Sequence, residues 1–87
     1  MNSYILPDIT LLSNVWTKVS LPDNIRESIR FQALSLGILE YSFDAGNSYM
    51  RTVGSGDVIQ GNFSLKDIWF RVPSNDVVKV LITDRRI

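Results

Sequence analysis

The closing part of the chain decides the predicted fold: Gly54-Ser55-Gly56-Asp57-Val58-Ile59-Gln60-Gly61-Asn62-Phe63, then Ile68-Trp69-Phe70-Arg71-Val72-Pro73, then Val77-Val78-Lys79-Val80-Leu81-Ile82-Thr83. Three apolar segments of strand length are separated by Gly, Ser, Asn and Asp, which are the residues that tight turns favour. The stretch therefore predicts a β-meander, in which consecutive strands pair.

The preceding residues follow a similar pattern, and their alternation is clearest in residues 25–34. There the inward set is predicted to be Ile25, Ile29, Phe31 and Ala33. A helix over residues 23–36 is the competing interpretation, but the period-2 set is longer than the helical one, and Ser35-Leu36-Gly37 is typical of a hairpin link.

One detail of residues 25–34 is open. Glu27 is the single polar exception on the inward side of residues 25–34, so we expect it at the sheet margin or paired with an arginine, since burying an unpaired carboxylate is costly. Residues 38–43 alternate next, with Leu39, Tyr41 and Phe43 predicted on one face and Ile38, Glu40 and Ser42 on the other.

The whole chain is predicted to be all-β. Residues 9–20 fit one or two strands with a bend at Ser13-Asn14, and residues 48–53 fit a short strand. Seven or eight antiparallel strands spaced by roughly 8 to 12 residues predict a small β-sandwich, jelly-roll-like or immunoglobulin-like. We expect an N-terminal arm or edge strand over residues 1–14 and a single sandwich domain over residues 15–87.

Composition limits how so small a domain is stabilised. The chain has 87 residues and contains neither Cys nor His, so a disulfide is impossible and an ordinary zinc site is not expected. Domains of this size have a thin stability margin, which association can widen; we therefore predict a homo-oligomer or an obligate place in a larger assembly. Nine basic and nine acidic residues give no net charge, so nucleic acid is not an expected partner.

The same sequence argues against a membrane or secreted protein. The N-terminal residues lack the basic and apolar regions of a signal peptide, and no window approaches the ~20 apolar residues of a membrane span. We expect synthesis in a cytoplasm and no membrane partner.

Catalytic chemistry is not expected either. Without His or Cys, a hydrolase or transferase site would need paired carboxylates, Lys, Tyr or hydroxyls, and most of the acids stand in or beside predicted turns, where Asp is common for backbone reasons. Asp44-Ala45-Gly46-Asn47 lacks the ligand spacing of a calcium loop. The sequence predicts no enzyme, no cofactor and no metal.

The aromatic residues supply the candidate surface. Trp69 and Phe70 are adjacent, so they face opposite sides of their sheet. If Ile68, Phe70 and Val72 form the core, Trp69 and Arg71 lie outside, and Trp and Arg are enriched in interface hot spots. The predicted protein-contact residues are Trp16, Trp69, Arg71, Tyr4, Ile5 and Leu6.

The order of these segments also resembles a known group of proteins. Ile29-Arg30-Phe31-Gln32, Leu39-Glu40-Tyr41-Ser42-Phe43-Asp44, Gly56-Asp57-Val58, Gly61-Asn62-Phe63 and Ile68-Trp69-Phe70-Arg71-Val72 resemble small β-sandwich virion proteins of tailed bacteriophages, of the capsid decoration (cement), head-fibre or connector type. The resemblance covers roughly residues 15–83.

That resemblance implies a non-enzymatic structural role in the virion, with capsid or tail subunits as partners and many copies per particle. An extended terminus would tie one subunit to its neighbour. The alternative is a receptor- or carbohydrate-binding module at a phage tail tip.

Overall fold

The computed structural model describes residues 2–21, 25–35, 37–54, 56–64 and 67–84. Within this part of the chain there are nine strands, numbered in chain order: β1 Asn2–Ile5, β2 Ile9–Leu11, β3 Thr17–Ser20, β4 Ile25–Ala33, β5 Ile38–Ser42, β6 Met50–Val53, β7 Asp57–Ser64, β8 Asp67–Arg71 and β9 Asp76–Asp84. No helix with the length and apolar character needed to cross a membrane occurs in these ranges.

The strands form two antiparallel sheets. One has the order β1-β9-β4-β7, with β2 also paired to β9, and the other has the order β3-β8-β5-β6. Strands β1 and β2 lie end to end along the same neighbour, opposite residues 81–84 and 76–78 of β9. Counted as one interrupted strand, they bring the total to eight, which agrees with the upper predicted number.

The pairing is nested from the two ends of the chain toward its middle. The first strands pair with β9, β3 pairs with β8, β4 with β7, and β5 with β6. A long hairpin folded into two sheets in this way is the topology of a jelly roll. Of the two predicted sandwich types, the jelly roll is therefore the one observed.

This pairing corrects two predictions. The closing meander is wrong, because β7, β8 and β9 lie alternately in the two sheets and none pairs with the next. The hairpin link at Ser35-Leu36-Gly37 is also wrong, because β4 and β5 belong to different sheets; Leu36 itself lies outside the described residues. Both predictions failed because alternation along a strand reveals its buried side but not its partner.

The core lies between the sheets and consists of the inward residues of both. In β8 the pattern is strict, since Ile68 and Phe70 are fully buried and Asp67, Trp69 and Arg71 are not. In β4 the predicted strand is confirmed, and Ile29, Phe31 and Ala33 are buried as expected. The side chains of Ile25 and Arg26 lie outside the described part.

Aromatic rings join the sheets at the centre of this core. The Phe31 ring lies 4.6 Å from the Tyr41 ring and 5.3 Å from the Phe70 ring, centroid to centroid. Phe31 belongs to one sheet and the other two residues to the facing sheet. Such tilted and edge-to-face pairs add to the stabilisation from burial alone.

Two residues depart from the expected alternation. Glu27 lies where the register of β4 shifts between Arg26 and Ser28, so that it is the extra residue of a β-bulge opposite β9 and is half-buried. Phe43 was predicted to share the face of Leu39 and Tyr41; its ring contacts Tyr41, but β5 ends at Ser42 and the Phe43 side chain is 49% exposed.

Candidate interaction surface

A row of polar and aromatic side chains crosses the outer face of the second sheet. Arg71 of β8 lies opposite Glu40 of β5, which lies opposite Arg51 of β6. On the other side of β8, Thr17 pairs with Phe70, so the preceding residue, Trp16, lies next to Arg71. These four residues share one face because directly opposite residues in an antiparallel sheet point to the same side.

Arg71 is the centre of this row. Its guanidinium carbon lies 4.4 Å from the centre of the Trp16 ring and 5.0 Å from the centre of the Tyr49 ring. Its Nε donates a hydrogen bond to Glu40 Oε1 at 2.8 Å. The hydrogen bond with Glu40 raises the pKa of Arg71, and Tyr49 adds to it. The cation is thus held by two rings and one carboxylate, a rigid arrangement.

The loop between β5 and β6 completes the row by folding back over the sheet. Ala45 and Gly46 have φ angles of 61° and 91°, and the N–H of Asn47 donates to the carbonyl of Asp44 at 3.3 Å. Positive φ at both central residues is the requirement of a type I′ turn. The turn places Gly46 against the Trp16 indole, so closely that an added Cβ would lie 2.5 Å from Nε1.

Polar contacts at the base of this loop hold it in place. Ser42 is buried, and its hydroxyl accepts the N–H of Gly46 at 2.9 Å. The Asp44 carboxylate accepts the N–H of Ser48 at 2.9 Å and the Ser48 hydroxyl at 2.6 Å. Hydrogen bonds from Ser48, followed by one from Ser42, lower the pKa of Asp44 to about 2. Within the described ranges, no group of three or more acidic side chains is placed to hold a metal ion.

Beside the loop, the β5–β6 hairpin exposes apolar side chains. Phe43 is 49% exposed, Tyr49 51%, Met50 62% and Val53 70%. Phe43, Tyr49 and Met50, which we call the hairpin surface, line a groove of about 230 Å³ together with Tyr41, Ser42, Asp44 and Ser48. Val53 lies at the far end of β6, opposite Ile38. The groove has a mainly apolar wall and an acidic rim at Asp44.

The structure brings some of the predicted contact residues together and separates others. Trp16 and Arg71 touch each other, and Trp69 lies on the same outer face between Lys18 and Ser42. The N-terminal candidates are elsewhere, at the edge of the other sheet: Tyr4 and Ile5 belong to β1, and Leu6 follows it. There Tyr4 and Leu6 pack partly buried against the core, while Ile5 is 62% exposed. A contact role for each of them stays a prediction.

Sequence reasoning did not single out Glu40, Met50 or Val53. The alternation from buried Leu39 and Tyr41 places Glu40 outside, which is a signal in the sequence. The exposure of Met50 and Val53 has no local signal, because it depends on β6 being the last strand of its sheet.

The fold and its surface define a small jelly-roll domain with a rigid aromatic and charged face and an exposed apolar hairpin. Comparison of the chain with protein-family models, with curated proteins and with solved structures gave no match.

Proposed function

We propose that this protein is a non-enzymatic structural component of a bacteriophage particle, made in the host cytoplasm and bound to capsid or tail subunits through the hairpin surface. The observation that carries the adhesive role is the exposure of Phe43, Tyr49 and Met50 around one groove of a short hairpin. Clustered apolar side chains on a small domain, rimmed by polar residues, mark protein contact sites.

The neighbouring outer-face row suits the same role. Trp16, Tyr49 and Arg71 are of the residue types that dominate interface energetics, and their mutual contacts hold them in place before binding. Pre-ordered side chains lose less entropy on association than mobile ones. A partner that covers the hairpin surface would therefore meet a rigid rim.

The assignment to a phage particle is supported by the sequence resemblance and by the topology. Jelly rolls occur in viral capsid domains and also in lectin domains, so the fold agrees with a virion role without requiring it.

The tail-tip alternative receives less support from the aromatic arrangement. A sugar-stacking platform needs an open ring face, whereas the Arg71 guanidinium lies over both Trp16 and Tyr49. The two ring planes are inclined by 60°, so they do not form one flat platform.

The experiment is a particle-binding assay with two variants matched in exposure. Met50→Asp alters the hairpin surface and Ile5→Asp alters β1, and both positions are 62% exposed. We expect Met50→Asp to weaken binding to particles that lack the protein by at least about tenfold, which corresponds to about 1.4 kcal/mol. Ile5→Asp should bind like the wild type.

Mass spectrometry of particles purified from the encoding phage supplies the second readout. Absence of the protein from the particles would contradict the proposal. Loss of binding with Ile5→Asp alone would move the contact to β1, and glycan binding that is lost with Trp69→Ala would favour the tail-tip alternative.

A further inference from the structure

The four open edges of the two sheets differ in how they are protected against pairing with another chain. Exposed edge strands are usually blunted by proline, charge or local capping. Strands β1 and β2 are separated by Pro7, and β3 carries Lys18, which forms an ion pair with Asp67 at 3.9 Å. At β7, the Asp57 carboxylate accepts the N–H of Val58 at 2.8 Å.

Strand β6 contains no proline, and like β3 it carries one charged residue, Arg51. It ends its sheet, and no strand in the described part of the chain pairs with its outer side. Its charged residue, Arg51, belongs to the outer face of the sheet, opposite Glu40. Met50, Arg51 and Val53 are all exposed, so a second strand could approach this edge.

The hydrogen-bonding pattern identifies which backbone groups are open. The N–H of Gly54 donates to the carbonyl of Gly37 at 2.7 Å, one step beyond the pair formed by Val53 and Ile38. Bonded and non-bonded pairs alternate along an antiparallel ladder. The N–H and C=O groups of Arg51 and Val53 therefore point away from β5, toward the open edge.

We propose that β6 pairs antiparallel with β6 of a second copy of this chain, with Thr52 opposite Thr52 of the second copy. In this register Arg51 exchanges both backbone hydrogen bonds with Val53 of the second copy. The two-fold symmetry generates the same two bonds between Val53 and Arg51 of the second copy. The two β3-β8-β5-β6 sheets then form one continuous sheet. The core-facing sides of both halves lie on the same face of this sheet.

Charge and composition favour this register over its neighbour. A shift that placed Arg51 opposite Arg51 would bring like charges together, which destabilises a cross-strand pair. With Thr52 at the centre, the Arg51 stem instead lies against exposed Val53 of the second copy. The absence of net charge on the chain leaves no overall repulsion between copies. The inference rests on one premise of the proposed function, which is that the protein works in contact with other subunits.

Disulfide trapping tests the register directly, because the chain contains no cysteine. Opposite residues of a non-hydrogen-bonded antiparallel pair have Cα atoms about 4.5 Å apart, within the range that a disulfide spans. Under mild oxidation, Thr52→Cys should convert most of the protein to a covalent dimer. Lys18→Cys, on the edge strand β3 of the same sheet, and Arg51→Cys should form little covalent dimer. Equal cross-linking of Lys18→Cys would overturn the inference, and preferential cross-linking of Arg51→Cys would overturn the register.

A proline variant tests the edge without cross-linking. Val53→Pro removes an N–H that makes no bond to β5, so the internal ladder keeps its hydrogen bonds while the open edge loses a donor. Val53→Ala is the matched control because it removes the side chain and keeps the N–H. Light scattering should give a dimer of the 9.9 kDa chain for the wild type and Val53→Ala, and a monomer for Val53→Pro with an unchanged β-sheet circular dichroism spectrum.

A wild-type monomer, or a Val53→Pro dimer, would overturn the inference while leaving the particle assay to judge the proposed function. Conversely, β6 pairing in a protein absent from particles would leave the inference standing and remove the proposed function.

Discussion

The hydroxyl of Tyr41 donates a hydrogen bond to Asp57 Oδ2 at 2.5 Å, and the two residues belong to opposite sheets. Tyr41 is almost fully buried among the central aromatic rings, and Asp57 begins β7. The bond therefore fixes the position of one sheet over the other at the centre of the sandwich. Burial, followed by the hydrogen bond and the charge of Asp57, raises the pKa of Tyr41 to about 12.

Tyr41→Phe is expected to lower the free energy of unfolding by about 1.5 kcal/mol, because it removes the hydrogen bond that the Tyr41 hydroxyl donates to the charged Asp57 carboxylate. Chemical denaturation at pH 7 measures this. Tyr49→Phe is the comparison: it also removes a hydroxyl that hydrogen-bonds a charged group, Arg71, but at a half-exposed position, so it should cost less than Tyr41→Phe.

The same pair predicts a loss of stability at alkaline pH. The folded-state pKa of Tyr41, about 12, is above the ordinary value of 10.0, so the folded protein holds the proton more tightly than the unfolded chain. The contribution is complete below pH 10 and is lost as the pH rises toward 12. A Tyr41→Phe variant should show a shallower decline of stability across this window; an unchanged decline would contradict the assignment.

Gly46→Ala and Gly54→Ala form a matched pair that isolates the contact between Gly46 and Trp16. Both glycines have positive φ, 91° and 83°, but a Cβ at Gly54 would meet no atom within 4 Å. Gly54→Ala should cost only the left-handed backbone penalty of about 1 to 2 kcal/mol. Gly46→Ala should cost about 1 to 3 kcal/mol more, because the Trp16 indole must move. Equal losses in thermal unfolding would show that the indole does not rest on Gly46.

Arg71→Ala and Arg51→Ala compare the two cations beside Glu40. Arg71 bonds Glu40 directly and is partly buried, whereas Arg51 is exposed. Loss of Arg71 should cost clearly more stability than loss of Arg51, since the hydrogen bond to a charged group and the ring contacts disappear together. Arg51→Ala should stay within about 0.5 kcal/mol. In a Trp69→Phe background, only Arg71→Ala should change the Trp16 fluorescence.

Asp44 is expected to titrate at unusually low pH. Its folded-state pKa, about 2, is below the ordinary 3.8, so its contribution to stability is present above pH 4 and is lost as the pH falls toward 2. Ser48→Ala removes the hydroxyl that is the leading cause, and should raise the pKa of Asp44 toward 3.8. Carboxyl carbon chemical shifts measured against pH report this value. The same pKa in both proteins would exclude the Ser48 hydroxyl as the cause.

Ala45→Asn is expected to stabilise the protein by about 0.5 to 1 kcal/mol. Ala45 has a φ of 61°, where Asn is better tolerated than Ala, and the change creates the Asn-Gly pair that type I′ turns prefer. Ala45→Val is the control and should destabilise, because a β-branched side chain fits this conformation worst. Thermal unfolding distinguishes the two.

Much of the local structure could be predicted from residue order. The burial of Phe70 and the outer position of Trp69 and Arg71 follow from their adjacency, since side chains alternate across a strand. The strand at Ile25–Ala33 likewise followed from its period, against a helical alternative. The outer-face site was predictable only to the extent that Trp16, Trp69 and Arg71 could be placed on a surface.

By itself, the sequence determined that the chain is all-β, where its strands run and which side of most strands is buried, because these properties depend on neighbours a few residues away. Only the tertiary structure decided that β9 pairs with β4 instead of β8, that Arg71 meets both Trp16 and Tyr49, and that β6 is left at an edge. Those outcomes depend on strands distant in the chain packing into two sheets at once. Alternation marks a side to be buried, but the partner is chosen by the packing of the whole sandwich.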